Sequence, residues 1–248
     1  MAFVHGKSVD VLVNGYDLSA YFNDASITYN SETAETTAFG NESKTYIVGL
    51  DDGTVSLSGM FDANTTDGLD TVVTGTLSDN VITTSVFYAT PAAGGRVSMA
   101  DGLLTNYEIS SPVADVTSAS LDIQGNDGVR QGDALSALAA VSTTTTGSEV
   151  DRSAGASTTA GVCSAHLHIV ANDRDAGTLD VKITSATSSG GVYADVTGGA
   201  FTQIAAGAGR ASERIAISGA VNRYVKVVYT VTGGTTGSYT PIVTLTRH

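Results

Sequence analysis

The chain has 248 residues, 42% hydrophobic and only 15% charged, enough apolar material for a real core and too little charge for a disordered, solvating chain. With one cysteine, and no apolar run near the roughly 20 residues that span a bilayer, the disulfide-stapled and helical membrane-spanning classes are excluded. The net charge is −13 and unevenly placed: up to Arg130 four basic residues face seventeen acidic ones, while from Gln131 onward eight face eight. That asymmetry predicts two domains in different surroundings. It also excludes a conventional nucleic-acid binder, which needs a basic face to exchange counterions with phosphate.

Gly is abundant, Pro is rare and Trp is absent, so small, β-branched and hydroxyl residues carry the pattern and favour strands and tight turns. The N-terminal MAFVHGKSVD has no basic region followed by an apolar one, so a secretory signal is not expected. With Cys163 unable to pair within the chain, synthesis in a reducing compartment is the expectation.

In chain order, Val9 to Val13 reads as a strand, followed by Asn14-Gly15, a strong signal for a tight hairpin turn. Leu18 to Phe22 suits one helical turn, and Ala25 to Tyr29 a strand. Glu32 to Leu50 is a long polar insertion, closed by the turn-forming Asp51-Asp52-Gly53. From Thr54 the alternation is clean: Val55, Leu57 and Phe61 face one way, and Thr54, Ser56, Ser58 and Asp62 the other. Gly59, on the apolar face, suggests a bulge or close backbone contact.

Asn64 to Gly75 predicts a helix, with Leu69, Val72 and Val73 at helical spacing. Strands are expected at Val81 to Ala89, Leu103 to Ser110 and Asp115 to Gln124. In the last, Ala119, Leu121 and Ile123 alternate with Ser118, Ser120, Asp122 and Gln124. Gly125 to Gly132 reads as a turn-rich junction and the expected domain boundary. The fit of Asp133 to Val141 to a helical turn is short, and Thr143 to Gly161 carries weak strand signals. Beyond it, alternation around His166 to Ile169, Leu179 to Thr184, Ile215 to Ile217, Tyr224 to Val231 and Val243 to Leu245 predicts an antiparallel sandwich.

Catalytic and ligand motifs are weak. His166 and His168 share one strand face, which suits a metal, but a zinc site needs three or four ligands and only Asp173 and Asp175 follow nearby. Two solvent-facing strand histidines are the expected reading. Cys163 has no adjacent base, and Asp51-Asp52-Gly53 and Asn126-Asp127-Gly128 lack a full calcium-loop pattern. Arg210, Arg214 and Arg223 with Tyr224 read as rim residues guarding sheet edges. No catalytic residue, metal ligand, cofactor or enzymatic activity is expected.

The run DLSAYFNDASITY, then AETTAFG, then KTYIVGLDDGTVSLSGMFD resembles the N-terminal part of tail tube (major tail) proteins of long-tailed bacteriophages, of the type common in phages of actinobacteria. The pattern from HLHIVA through GGAFTQIAA to GAVNRYVKVVYTVTG resembles the second domain found in some of them. The resemblance implies a mainly β chain. Residues 1–130 would form a tail-tube-like β-sandwich or barrel with one flanking helix and a long inter-subunit loop at about 32–50. Residues 131–248 would form a C-terminal antiparallel, jelly-roll-like sandwich on the tube exterior.

It also implies a virion protein made in the host cytoplasm. Hexameric rings of it would stack into a hollow tube, with tape-measure, tail-terminator and distal-tail proteins as partners. DNA would pass without specific binding, and no membrane is involved. On that reading Thr33, Glu35, Thr36, Thr37, Phe39, Asn41, Lys44 and Tyr46 form an arm reaching a neighbouring subunit, and Asp62, Asp115 and Asp122 are candidate bore-lining acids. The alternatives are another ring-forming tail or capsid decoration protein, or a two-domain carbohydrate-binding or adhesin module. The last requires an exposed aromatic platform from Tyr193, Tyr224 or Tyr239.

Overall fold

A computed structural model describes residues 6–39, 42–76, 81–152 and 159–247. The protein is 57% strand and 4% helix, with antiparallel sheets, as the alternation predicts. A 3-10 turn at Gly6–Ser8 precedes β1 (Asp10–Val13) and β2 (Tyr16–Asp17). Long strands follow at β3 (Phe22–Glu35) and β4 (Tyr46–Met60), then α1 (Leu69–Thr76), β5 (Ile82–Phe87), β6 (Arg96–Ser110) and β7 (Ser118–Ala134). The remaining strands are β8 (Thr145–Thr146), β9 (Val150–Asp151), β10 (Cys163–Asn172), β11 (Thr178–Ala186), β12 (Ala194–Ala200), β13 (Ile204–Ala205), β14 (Ala211–Ile217), β15 (Tyr224–Thr232) and β16 (Tyr239–Thr246). No helix among the described residues is long and apolar enough to cross a membrane.

Backbone contacts divide the chain into two compact units that do not follow sequence order. One comprises Met1–Tyr21, Thr83–Met99 and Arg130–His248, the other Phe22–Ile82 and Ala100–Val129. The junction expected at 125–132 is not a loop, because β7 runs through it. Its glycines are accommodated inside the strand, where Gly128 adopts a positive φ of 69°. The chain passes between units at Val129 and Arg130, within a strand rather than a linker.

The larger unit holds two sheets. The first has the order β14-β10-β16-β7-β6-β5-β1-β2 and curls until its ends meet. The Asn14-Gly15 turn before β2 has φ values of 47° and 80°, as a primed hairpin turn requires. It backs so closely on β14 that a Cβ on Gly15 would lie 2.6 Å from the Ala211 carbonyl oxygen. Leu12, Phe87, Val97, Met99, Ala134 and Ile242 pack together on one face of this sheet. On its other face Leu167, Val243 and Leu245 join Val181, Ile183, Val225 and Val227 from a second sheet of order β12-β11-β15-β8.

The smaller unit is a four-stranded sheet, β3-β4-β7-β6, with one helix. Val55, Leu57, Ala119, Leu121 and Ile123 line up across β4 and β7 and are buried. Asn106 bonds Asp122 on the opposite, polar face, so its neighbour Tyr107 points to the apolar side, where its hydroxyl donates to Asp70 of α1 (3.0 Å). Leu69, Val72 and Val73 of α1 are buried there. The helix starts later than the sequence suggests because Asn64 Oδ1 accepts the Thr66 N–H (2.9 Å), a local turn that competes with helix. Opposite Gly59 the β3–β4 register slips between Phe22 and Asp24, the bulge expected there.

Candidate assembly surface

The stretch from Glu32 to Leu50 is not an irregular loop. β3 and β4 continue past the sheet as a two-stranded ribbon, pairing Thr33 with Val48, Ala34 with Ile47 and Glu35 with Tyr46. Asp51-Asp52-Gly53 is likewise strand rather than turn, because each residue has a cross-strand partner in Ser31, Asn30 and Tyr29. The Ser31 hydroxyl donates to Asp51, and the Gln124 amide to Asp52. Local turn chemistry yields to a ladder that pairs the backbone groups.

At the tip, the Thr36 N–H donates to the Thr45 carbonyl (2.8 Å), the Thr45 N–H to Thr37 Oγ1 (3.1 Å) and Lys44 Nζ to Glu35 (3.0 Å). Thr33, Glu35, Thr36, Thr37, Phe39, Lys44 and Tyr46 are therefore brought together on one projecting hairpin, all exposed. Asn41 lies outside the described residues. Sequence reading selected the polar residues with Phe39 and Tyr46 but missed the aliphatic ones beside them. Ile47, Val48 and Leu50 are 57%, 74% and 77% exposed, and Phe39 is fully so. An isolated two-stranded ribbon is marginal in water, and contiguous exposed apolar residues mark interaction surfaces. The signal available in sequence was YIVGL itself, an apolar run within a polar insertion.

Among the described residues the same sheet is open at both edges, and β3 pairs there only with β4 along its 14 residues. The six-residue β5 meets β6 at its Arg96 end, where the Tyr88 N–H donates to the Arg96 carbonyl (3.4 Å). Among the described residues, Leu103 to Ser110 thus has strand neighbours on one side only. Long unpaired edges are templates for pairing with another chain.

The polar face of this sheet carries Asp24, Asp52, Glu108 and Asp122 among Ser, Thr and Asn residues. The whole smaller unit has one basic residue, Lys44, against fifteen acidic ones, a net −14; the larger unit, with eleven and ten, is +1. Asp122 lies on the polar face, where Asn106 donates to it (3.2 Å). Asp62 is elsewhere, its carboxylate accepting the Asn64 N–H (3.0 Å) before α1. Asp115 lies in the exposed turn joining β6 to β7. The structure therefore does not group these three acids. Glu108 and Asp24 share the polar face with Asp122, a grouping that only the sheet register reveals.

The remaining candidates are structural. His166 and His168 do not face solvent: both are buried because the first sheet curls and covers the face they occupy. His168 is sandwiched between the Gly15 N–H (3.3 Å to Nδ1) and the Ser85 hydroxyl (3.0 Å to Nε2). Burial holds its pKa at about 3. Burial, then the neighbouring His168 and Arg214, keeps His166 well below the ordinary imidazole value. No group of three or more His, Cys, Asp or Glu among the described residues is placed to hold a metal. Cys163 is buried, which pushes its thiol pKa up. Of the three tyrosines that an adhesin platform needs, Tyr239 is fully buried. Tyr193 and Tyr224 are half-buried, each with a cation over its ring, Lys226 at 4.2 Å and Arg223 at 5.1 Å.

Fold and surface together define a mainly β, antiparallel protein whose acidic four-stranded sheet leaves two edges and one apolar-tipped hairpin without partners among the described residues. No protein family matches the chain by sequence profile, and no curated protein matches it. Among solved structures it is similar to a chain in the virion of a native gene transfer agent particle. That match has 18% identity over 50% of this chain and 95% of the other, with a TM-score of 0.39. It is also similar to a chain from the tail of an empty gene transfer agent particle of C6 symmetry, at 15% identity over 52% and 97%, with a TM-score of 0.40. A third likeness is to the SPP1 Dit protein, described as a paradigm of the hub adsorption apparatus in phages infecting Gram-positive hosts. There the identity is 10% over 91% and 99%, with a TM-score of 0.34.

Proposed function

We propose that the protein is a structural virion component that polymerises into the tube of a phage-type tail, without enzymatic activity. One observation carries the reading: a four-stranded sheet open at both edges, acidic on its polar face and extended by an apolar-tipped hairpin. β3 of one subunit pairs with β6 of the next, a heterologous contact that closes into a ring, hexameric as the sequence resemblance implies. Closure leaves no edge free. The β3–β4 hairpin reaches along the tube axis to the neighbouring ring. With the apolar face covered by α1, the polar face turns to the bore. A wall without cations repels phosphate, and DNA slides through without sticking. Tape-measure protein inside, and terminator and distal-tail proteins at the ends, are the partners of such a tube.

Electron microscopy of the concentrated, purified protein tests this. Long hollow tubes of constant diameter are expected. Persistent monomers, with and without a tape-measure partner, overturn the proposal, and single rings that never stack point instead to a terminator-like or hub-like component.

A further inference from the structure

The curled sheet of the larger unit closes without a ladder. β2 and β14 are its two ends, and among the described residues no backbone pairing joins them. The bonds of buried His168 hold the seam instead. Its Nδ1 accepts the Gly15 N–H from the β1–β2 turn (3.3 Å). That fixes the ring proton on Nε2, which donates to Ser85 Oγ of β5 (3.0 Å). The Ser85 hydroxyl in turn donates to His166 Nδ1 (3.5 Å), and His166 bonds the Thr84 backbone. Beside this chain of bonds the Ser212 hydroxyl donates to Asn14 Oδ1 (3.5 Å), and the Arg210 guanidinium lies 4.9 Å over the Tyr16 ring.

The donors run in one direction, so the chain of bonds has no place for another proton. A proton on His168 Nδ1 sets one N–H against another and leaves the Gly15 N–H buried without an acceptor. Among the described residues no carboxylate bonds either ring. The charged group that β14 presents to the pair is Arg214, opposite His166 in the register, while Glu213 shares the other face with Leu167. β16 brings Ile242 and Thr244, neither of them titratable. On β1 and β2, Asp10 lies opposite Phe87 and Asp17 opposite Leu12, and the Asp17 carboxylate accepts the Ser19 N–H (3.0 Å).

We infer that this seam is an acid-operated latch: a proton on His168 breaks its bond to Gly15 and lifts the β1–β2 turn from β10 while the second sheet stays folded. Opening breaks no ladder, because β1 keeps its pairing with β2 and β5. Leu12 is paired with Ser85, and Ile242 with His168, so an open seam admits water to the apolar cluster that includes both. A solvated imidazole takes its proton near pH 6.5, the closed one only near 3. The open-to-closed ratio therefore rises by up to about tenfold per pH unit below 6.5.

Amide hydrogen exchange in the full-length protein tests the latch, read as protection factors so that the intrinsic pH dependence of exchange cancels. Between about pH 7 and pH 5 the protection of the Gly15 amide should fall at least about tenfold. At about pH 5 the most protected amides of β11 should remain at least about tenfold better protected than Gly15, which marks a local opening. His168→Gln keeps an acceptor for Gly15 and a donor for Ser85 but takes up no proton, and should hold the fall at Gly15 within about threefold. No fall at Gly15 in the wild type, or equal protection of Gly15 and β11 at about pH 5, overturns the latch. So does a fall in His168→Gln as large as that in the wild type. Should that variant fail to fold, the two wild-type results decide alone.

Discussion

Asp133 is fully buried between two arginines. Arg247 donates to both of its carboxylate oxygens, and the Arg152 guanidinium, itself fully buried, lies 3.9 Å away. Arg152 Nη2 donates to the Thr246 carbonyl, while its Nε and Nη1 have no hydrogen-bond partner among the described residues. Removing the acid leaves a buried cation uncompensated, so Asp133→Ala should cost about 3–5 kcal/mol in urea denaturation. Replacing Asp133 and Arg152 together with apolar residues of similar volume should recover much of that loss. The buried histidines set a pH dependence. In the unfolded chain both titrate near 6.5, whereas in the folded protein His168 does so only at about 3 and His166 well below 6.5. Their neutral forms are compatible with folding above about pH 6.5. As pH falls from there towards 3 the unfolded state alone takes up protons, and stability is lost at up to about 1.4 kcal/mol per pH unit for each. The denaturant midpoint should therefore drop between about pH 7.5 and 5.5, and His168→Gln should flatten the drop. The sequence shows two histidines in alternation. Their burial depends on the distant Gly15 and Ser85, which no local pattern announces.

The β3–β4 hairpin occupies the polar stretch 32–50, and its flanks are paired strand rather than loop. Its polar composition suggests an irregular excursion, yet Ser31 to Glu35 and Tyr46 to Asp51 find each other across the ribbon. Cross-strand pairing outweighs the turn propensity of Asp-Asp-Gly because the ladder is long and cooperative. Thr36 and Thr45 face each other at its end, so Asn-Gly can replace residues 37–44 as a two-residue turn. That variant should remain folded, with a melting temperature within a few degrees of wild type, but form no tubes. Tubes in the electron microscope would remove the arm assignment while leaving the fold intact. β7 teaches the converse lesson. GNDGVRQG has every mark of a loop, but its neighbours in the sheet hold it extended and positive φ at Gly128 absorbs the irregularity.

For the whole molecule, the telling quantity is the partition of charge between the contact-defined units. Sequence halves give −13 and zero; the units give −14 and +1, because Lys7, Arg96 and Arg130, offset by Asp10 and Asp17, belong with the larger unit. The acidity is thus concentrated on the sheet with open edges. Asp24→Lys/Glu108→Lys/Asp122→Lys changes three sites on its polar face and should convert a non-binder into a DNA binder. Retention of DNA should be strong at about 50 mM salt and fall at least about tenfold by about 200 mM, as a few phosphate contacts require. Wild-type protein should retain none at either salt concentration. Equal DNA retention by variant and wild type would separate the acidic face from any role in DNA passage.

Local sequence settles the β class, the alternating cores of β4, β7, β11 and β15, the Asn14-Gly15 turn and the site of the projecting segment. Each is a matter of side-chain period or backbone conformation over a few residues. Long-range packing settles that His166 and His168 are buried, that residues 83–99 join the C-terminal part, and that Asp122 shares a face with Asp24 and Glu108 but not with Asp62 or Asp115. Which face of a strand meets solvent, and which edge lacks a partner, depend on how distant segments pair, and pairing between distant segments leaves little trace in local composition.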